Sequence, residues 1–268
     1  LKMAKKIVGI FLFIGSLFVF SQEKASLVYE YSYIKDSLNT QSKKIEYFQL
    51  RVLDKFSLFV SEKNIKRDSL SQSLIKNFEQ KKSNSFDLTG YPLSDFKFYL
   101  LKYFSENKFK IYQKFEKQFY FYTEEELPIW ILKSEVVKIG DLNCHKAETF
   151  YRGRKWIAWY TTDVPIITGP YKFSNLPGMV VQLENSTGTL SFNLVSYKVG
   201  SKNEDVFLPE NMISNAKEIK RKEFLILEQS TKENLILKAK NLGMGISAEQ
   251  EKSYRDKIKK DNNPIELK

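Results

Sequence analysis

The only histidine of the 268-residue chain, His145, follows its only cysteine, Cys144. A thiolate nucleophile and an imidazole base need side chains within hydrogen-bond reach of each other. Both residues sit in "NCHKAETFY", which reads as a strand, and neighbours on a strand point to opposite faces. The expected outcome is a buried thiol and an outward imidazole, not a dyad. A serine triad would have to use His145, and no Gly-x-Ser-x-Gly elbow is present. One histidine and one cysteine do not supply a zinc centre, and Asp-rich calcium loops are absent. No Gly-x-Gly-x-x-Gly or Walker pattern offers a nucleotide cradle. No catalytic residue, metal or cofactor is therefore expected. The acidic run Glu124, Glu125, Glu126 could raise a carboxyl pKa by like-charge crowding, but in a turn it is expected to be solvated. Carboxylates brought together from separate strands leave a hydrolase open as an alternative.

Two stretches are more specific. In "YRGRKWIAWY", residues 151–160, Gly153 can take the positive φ of a tight turn flanked by Arg152 and Arg154. Trp156 and Trp159 have opposite parity, so one faces the core and the other a groove or solvent. Two arginines and an exposed indole can grip an anion or stack on a ring. The competing outcome pairs the arginines with strand carboxylates such as Glu148. In "GPYKFSNLPGMVVQLENSTG", residues 169–188, Pro170 and Pro177 fix φ and donate no ladder bond. Asn175 and Gly178 tolerate left-handed backbone. Leu176 is expected to plug the core. Of Tyr171, Lys172 and Phe173, Lys172 is expected to face a partner. The candidate ligand-binding set is thus Arg152, Arg154, Trp159, Tyr171 and Lys172. Gly153, Gly169, Pro170, Phe173, Leu176, Pro177 and Gly178 form a structural frame.

The elements that must position them are mostly strands. An aromatic share of 15% favours pleated surfaces. "LVYEYSY" alternates with period two, and "IEYFQLRVL" and "FSLFVSE" follow as strands. Asp68 is a plausible N-cap for a helix carrying Leu70, Leu74 and Phe78. The stretch 92–106 is ambiguous between helix and strand. From Lys108 five strand-like runs with short turns predict an antiparallel meander to Thr161. "MVVQLEN" and "TLSFNLVSYKV" form a further hairpin. Residues 214–243 read as one helix ending at Gly243, and Ser247 caps a second, polar helix. The predicted class is α+β: a large, curved, half-barrel-like antiparallel sheet, helices packed on one face or at one end, two of them C-terminal.

Residues 7–20 are an uncharged apolar run behind Lys5 and Lys6, with Val19 and Ser21 small enough for a signal-peptidase site. Residues 1–21 are expected to be a signal peptide and 22–268 a single domain. The run is shorter than the roughly 20 residues that span a bilayer, so no membrane span is expected after cleavage. The expected location is the periplasm or the extracellular space. A lone cysteine allows no internal disulfide. The formal charge of +11 comes from lysines scattered among glutamates, which fits a solvated surface better than a nucleic-acid partner.

The segment 144–184 resembles the GLPGLI, or Porph_ging, family. It keeps Cys144, Lys146, Ala147, Arg152, Gly153, Arg154, Ala158, Trp159, Pro165 and the whole "GPYKF" run. The family's Gly-Leu-Pro-Gly-Leu-Ile stands here as "NLPGMV", and the closing "NNPIEL" and early "YEYSYIKDSLN" are also similar. The resemblance implies an exported bacterial protein with no established activity and transfers no catalytic residue. The favoured expectation is a non-enzymatic binding protein for an apolar or extended ligand, a lipid or a peptide. An interaction subunit with an envelope protein partner is the next alternative, ahead of the hydrolase.

Overall fold

The computed structural model describes residues 23–81, 90–200, 208–209 and 211–267. The signal peptide expected over residues 1–21 lies outside the described residues.

The strands are β1 (Ala25–Ile34), β2 (Lys43–Val52), β3 (Phe56–Ser61), β4 (Tyr99–Tyr103), β5 (Lys108–Phe115), β6 (Gln118–Glu124), β7 (Ile131–Ile139), β8 (Leu142–Tyr151), β9 (Arg154–Thr161), β10 (Met179–Asn185), β11 (Leu190–Val199) and β12 (Lys217–Glu218). The helices are α1 (Glu62–Lys81), α2 (Arg221–Glu233), α3 (Leu235–Asn241) and α4 (Ala248–Lys259). All twelve strands join one open sheet in the order β12-β6-β5-β4-β3-β2-β1-β11-β10-β9-β8-β7. Every pairing is antiparallel except the short β12–β6 contact. The large antiparallel sheet with helices against it is the predicted class.

The meander predicted from Lys108 to Thr161 is corrected. β5 pairs with β6, and β7, β8 and β9 pair in turn, but β6 and β7 lie at opposite ends of the sheet. Ten strand spacings would separate them by roughly 48 Å if the sheet were flat. The link 125–130 reaches at most about 25 Å. The sheet must therefore curl until its ends approach, and contacts across the gap confirm it. Tyr151, at the end of β8, donates its hydroxyl to the Glu126 carbonyl at 2.8 Å, and Thr149 donates to the Ile129 carbonyl at 2.6 Å.

The larger core fills the inside of this curl. One cluster holds Tyr29 and Tyr31 of β1, Phe48 of β2, Phe115 of β5, Tyr122 of β6 and Trp156 of β9. The alternation of β1 explains its share: Leu27, Tyr29, Tyr31 and Tyr33 all bury. A smaller cluster of Leu58, Val60, Tyr99, Leu101, Tyr112 and Phe119 lies on the outer face beneath Ile65 of α1. Phe224 of α2 packs in the inner cluster. Helices thus cover both faces, not one face or one end as expected.

Three boundaries differ from expectation. α1 starts at Glu62 rather than at Asp68, because Ser61 ends β3 and its hydroxyl accepts the Lys63 N–H at 3.1 Å. Asp68 lies inside the helix and pairs with Arg67 at 2.8 Å. The ambiguous stretch contains β4. The long helix predicted over 214–243 is divided: Lys217–Glu218 join the sheet edge, and Asn234 separates α2 from α3. Its predicted end holds, since Gly243 has φ +78°. So does the last cap, where Ser247 Oγ accepts from Gln250 N at 3.1 Å and Gln250 Oε1 accepts from Ser247 N at 2.9 Å. At the free edge, β7 has a register shift between Leu132 and Val136 and carries Lys133 and Glu135 there. A bulge and charges blunt an exposed edge against further pairing.

Candidate functional site

The hairpin between β8 and β9 turns on Arg152 and Gly153, with φ of +48° and +82°, and is closed by the Tyr151–Arg154 pair. Positive φ at both central residues matches the strand twist of a two-residue hairpin. The turn aims the Arg152 and Arg154 side chains at different groups. After β9, residues 162–178 dip into the curl. Phe173 and Leu176 are buried there, and Phe173 lies 4.7 Å from the Trp156 ring centre. The left-handed residue of this loop is Tyr171, at φ +53°. Neither Asn175 nor Gly178 adopts that conformation. Gly178 is required for space instead: a Cβ there would meet the Thr161 carbonyl oxygen at 2.1 Å. Gly169 is the same case, 2.0 Å from the Phe173 carbonyl oxygen. Asn175 pins the crossover link, donating to the Pro128 carbonyl at 2.6 Å and accepting from the Trp130 indole at 2.9 Å.

Lys172 is fully buried, at 0% exposure, and does not face outward as expected. Its Nζ lies 2.6 Å from Glu266, 3.3 Å from Glu124 and 3.2 Å from the Tyr122 hydroxyl. Glu124 is held from its other side by Arg152, whose Nη2 is 2.7 Å from both carboxylate oxygens. Glu266 also accepts from Arg221 at 2.7 Å and from the Tyr171 hydroxyl at 2.9 Å. Glu124 is therefore buried and paired, not solvated as the acidic run suggested. Glu125 and Glu126 are exposed, and Glu126 lies 3.0 Å from Arg152. Three cations face three carboxylates, so the network is balanced. Burial pushes the Lys172 amine down, but Tyr122, Glu266, Tyr151 and Glu124 outweigh it and hold the amine above its ordinary range. Burial likewise pushes the Glu266 carboxyl up, and Lys172 and Arg221 more than reverse that. The two buried carboxylates do converge, but both are engaged by cations, which suits them to hold chain segments together.

Glu266 and Asp95 make the stability of the fold depend on pH. Burial raises the Asp95 carboxyl, but Lys35, Lys44 and Tyr33 hold it far below the usual range. A depressed folded-state pKa contributes stability that is complete above the unfolded value, about 4. It is lost as the pH falls through the folded value. Urea midpoints should hold from neutrality down to about pH 5 and drop steadily toward about pH 3. That drop should be smaller in Glu266→Gln; an equal drop would count against the pairing.

Residues 262–267 form a strap across the mouth of the curl. Asn263 donates to the Ile34 carbonyl at the end of β1 at 2.7 Å, and Asn262 N donates to the Lys35 carbonyl at 3.3 Å. Arg154 holds the middle of the strap, donating to Asn263 Oδ1 at 2.7 Å and the Pro264 carbonyl at 2.6 Å. Leu267 N donates to the Arg152 carbonyl at 2.9 Å. Under the strap lies a cavity of about 370 Å³. Tyr31, Phe96, Phe98, Ile111, Tyr122 and Phe224 form much of its wall, and Tyr171, Arg221 and Glu266 connect it to the ion network.

Of the candidate binding residues, the structure gathers Arg152, Tyr171 and Lys172 around the carboxylates and places Arg154 on the strap. Arg152 pairs with Glu124, whereas Glu148 is taken by Lys155 at 3.2 Å. Trp156 is buried, and Trp159 stays half-buried on the opposite side of β9, in register with Lys146 and Gln182. Cys144 is buried, as expected, and His145 points to the other side of the strand, but it is half-buried with its ring 5.7 Å from that of the buried Tyr160 rather than outward. Sequence reasoning missed Glu266, Arg221 and the aromatic wall. The available signals were "NNPIEL", which contains Glu266, and "YEYSY", which contains Tyr31 and Tyr33.

Comparison with known proteins agrees with the signature read from the sequence. Residues 152–182 match the family model Porph_ging, described as a protein of unknown function. No curated protein matches the chain. Among solved structures, PNGF-II in space groups P21 and C2 is similar, with TM-scores of 0.53 and 0.52 and 13% identity in each case. The alignments cover 78% of this chain and 34% and 33% of the PNGF-II chains. This chain therefore spans about a third of PNGF-II, and at that identity the likeness extends to the fold alone.

Proposed function

We propose that this protein is a non-enzymatic binding protein that holds a compact, largely apolar small molecule under its C-terminal strap. The observation that carries this reading is the aromatic-walled cavity of about 370 Å³ between the inner face of the sheet, α2 and residues 262–267. Concave, mostly apolar spaces of about 300–1,000 Å³ are the usual size of small-molecule sites. A methylene fills about the same 30 Å³ as a water molecule in the liquid, so about a dozen such groups fit. That favours a compact ligand over a long acyl chain or an extended peptide. The cations and carboxylates beside the cavity hold the loop, the hairpin and the strap in one arrangement, which keeps the wall preformed. The apolar run 7–20 behind Lys5 and Lys6 supports an exported protein.

The test is mass spectrometry of organic extracts of the purified protein, paired with titration of a neutral apolar dye. A co-purifying small molecule, or saturable dye binding, is expected for the parent. Both should be lost in Ile111→Trp, whose added ring enters the cavity. A clean protein that binds no dye, or dye binding unchanged by Ile111→Trp in a folded variant, would overturn the proposal.

A further inference from the structure

Every second residue of β5 faces the inner core. Phe109, Ile111 and Phe115 follow that rule with apolar side chains. Gln113 occupies the third position of the series, between Ile111 and Phe115. It is 5% exposed and lines the cavity. Its amide makes no hydrogen bond among the described residues, yet it is not among their fully water-excluded unpartnered groups, so it is open to whatever fills the cavity. The tyrosines of the wall show the same contrast. Tyr33 donates to Asp95 at 2.9 Å, Tyr171 donates to Glu266, and Tyr122 accepts from Lys172. The Tyr31 hydroxyl, on a residue 1% exposed, has no hydrogen-bond partner among the described residues. Tyr31 is held in place nonetheless, stacked between Tyr33 at 5.0 Å and Phe192 at 4.2 Å. Two neutral hydrogen-bonding groups thus stand in the cavity wall without a protein mate among the described residues, one of them fixed by ring stacking.

The charges around the cavity behave oppositely. Lys35 pairs with Asp95 at 3.0 Å, Lys232 with Asp261 at 3.6 Å and Glu228 at 4.0 Å, and Arg221 with Glu266. Among the charged residues that line the cavity, an ionic ligand would have to break an existing pair to find a countercharge, whereas a neutral ligand breaks none. A primary amide offers one donor side and one acceptor side, and a phenol offers both. Their complement is an adjacent N–H and C=O.

We infer that the cavity takes a neutral, compact ring compound bearing an amide or lactam edge, recognised by Gln113 and Tyr31. The inference rests on the cavity reading above and narrows it to a ligand class. Gln113 then carries specificity at a cost in stability, as functional residues in apolar walls do.

The probes are 2-quinolone, a neutral bicyclic lactam, naphthalene as its apolar counterpart, and lauric acid as an acyl chain, each titrated calorimetrically into the purified protein. 2-Quinolone should bind about tenfold more tightly than naphthalene, the scale of a well-made neutral hydrogen bond. Gln113→Leu should erase that preference and leave naphthalene unchanged, and Tyr31→Phe should reduce it in part. The thermal midpoint of Gln113→Leu without ligand should not fall, because the amide makes no protein hydrogen bond that leucine would forfeit. A lower midpoint would mean a purely structural amide and would overturn the inference. Equal or tighter binding of naphthalene or lauric acid would overturn the lactam class while leaving the cavity reading intact. Failure of all three probes would overturn both.

Discussion

Lys172→Met is expected to lower the folding free energy by about 3 kcal/mol, the scale for removing one partner of a buried ion pair. The methionine fills a similar volume, so the loss reports charge and not packing. Lys172 is fully buried and, among the described residues, is the one cation that touches both Glu124 and Glu266. Without it each carboxylate retains an arginine but loses the ammonium between them. Urea denaturation at neutral pH measures the loss, and a change below about 1 kcal/mol would defeat the assignment. Adding Glu266→Gln to Lys172→Met should recover part of the loss, because the charge left exposed to the core is then removed. The strap should loosen as well, seen as faster amide exchange at Leu267, whose N–H is bonded to the Arg152 carbonyl.

Gly178→Ala and Gly169→Ala are expected to cost roughly 3 kcal/mol or more each, at or above the upper end for overpacking a core. The new methyl at 178 would lie 2.1 Å from the Thr161 carbonyl oxygen and 2.9 Å from its carbon. At 169 it would lie 2.0 Å from the Phe173 carbonyl oxygen and 2.7 Å from Val180 Cγ2. The closest atoms are backbone, so no rotamer change relieves either contact. Gly188→Ala is the comparison. It has φ +66° and nothing within 4 Å of the new methyl, so only the backbone penalty of about 1–2 kcal/mol applies. Thermal midpoints should rank Gly188→Ala well above the other two. If Gly178→Ala melts with Gly188→Ala or above it, close packing of the loop onto β9 is not what demands the glycine.

These variants probe features that differ in how they could be read from the chain. The strand period of "LVYEYSY", the Arg-Gly hairpin at 152–153 and the Ser247 cap are local. Each depends on steric or hydrogen-bonding rules that act within a few residues, and each is found as the sequence implies. The exclusion of a Cys–His dyad was equally local, because it rests on strand parity. The Lys172 environment is not local. Glu124 and Glu266 stand 48 and 94 residues from it. Nothing in "GPYKF" distinguishes a lysine that faces solvent from one that meets two distant carboxylates. The curl of the sheet decides it. The short 125–130 link forces the ends of a twelve-stranded sheet together, which brings Glu124 to the β8–β9 hairpin and opens an interior for the 162–178 loop and the strap. The sequence by itself determined most of the strands, the local turns and caps, and the family signature. Only the tertiary structure decided which charges meet and where a cavity remains, because side-chain partners depend on how far the sheet bends, and residue spacing carries no record of that.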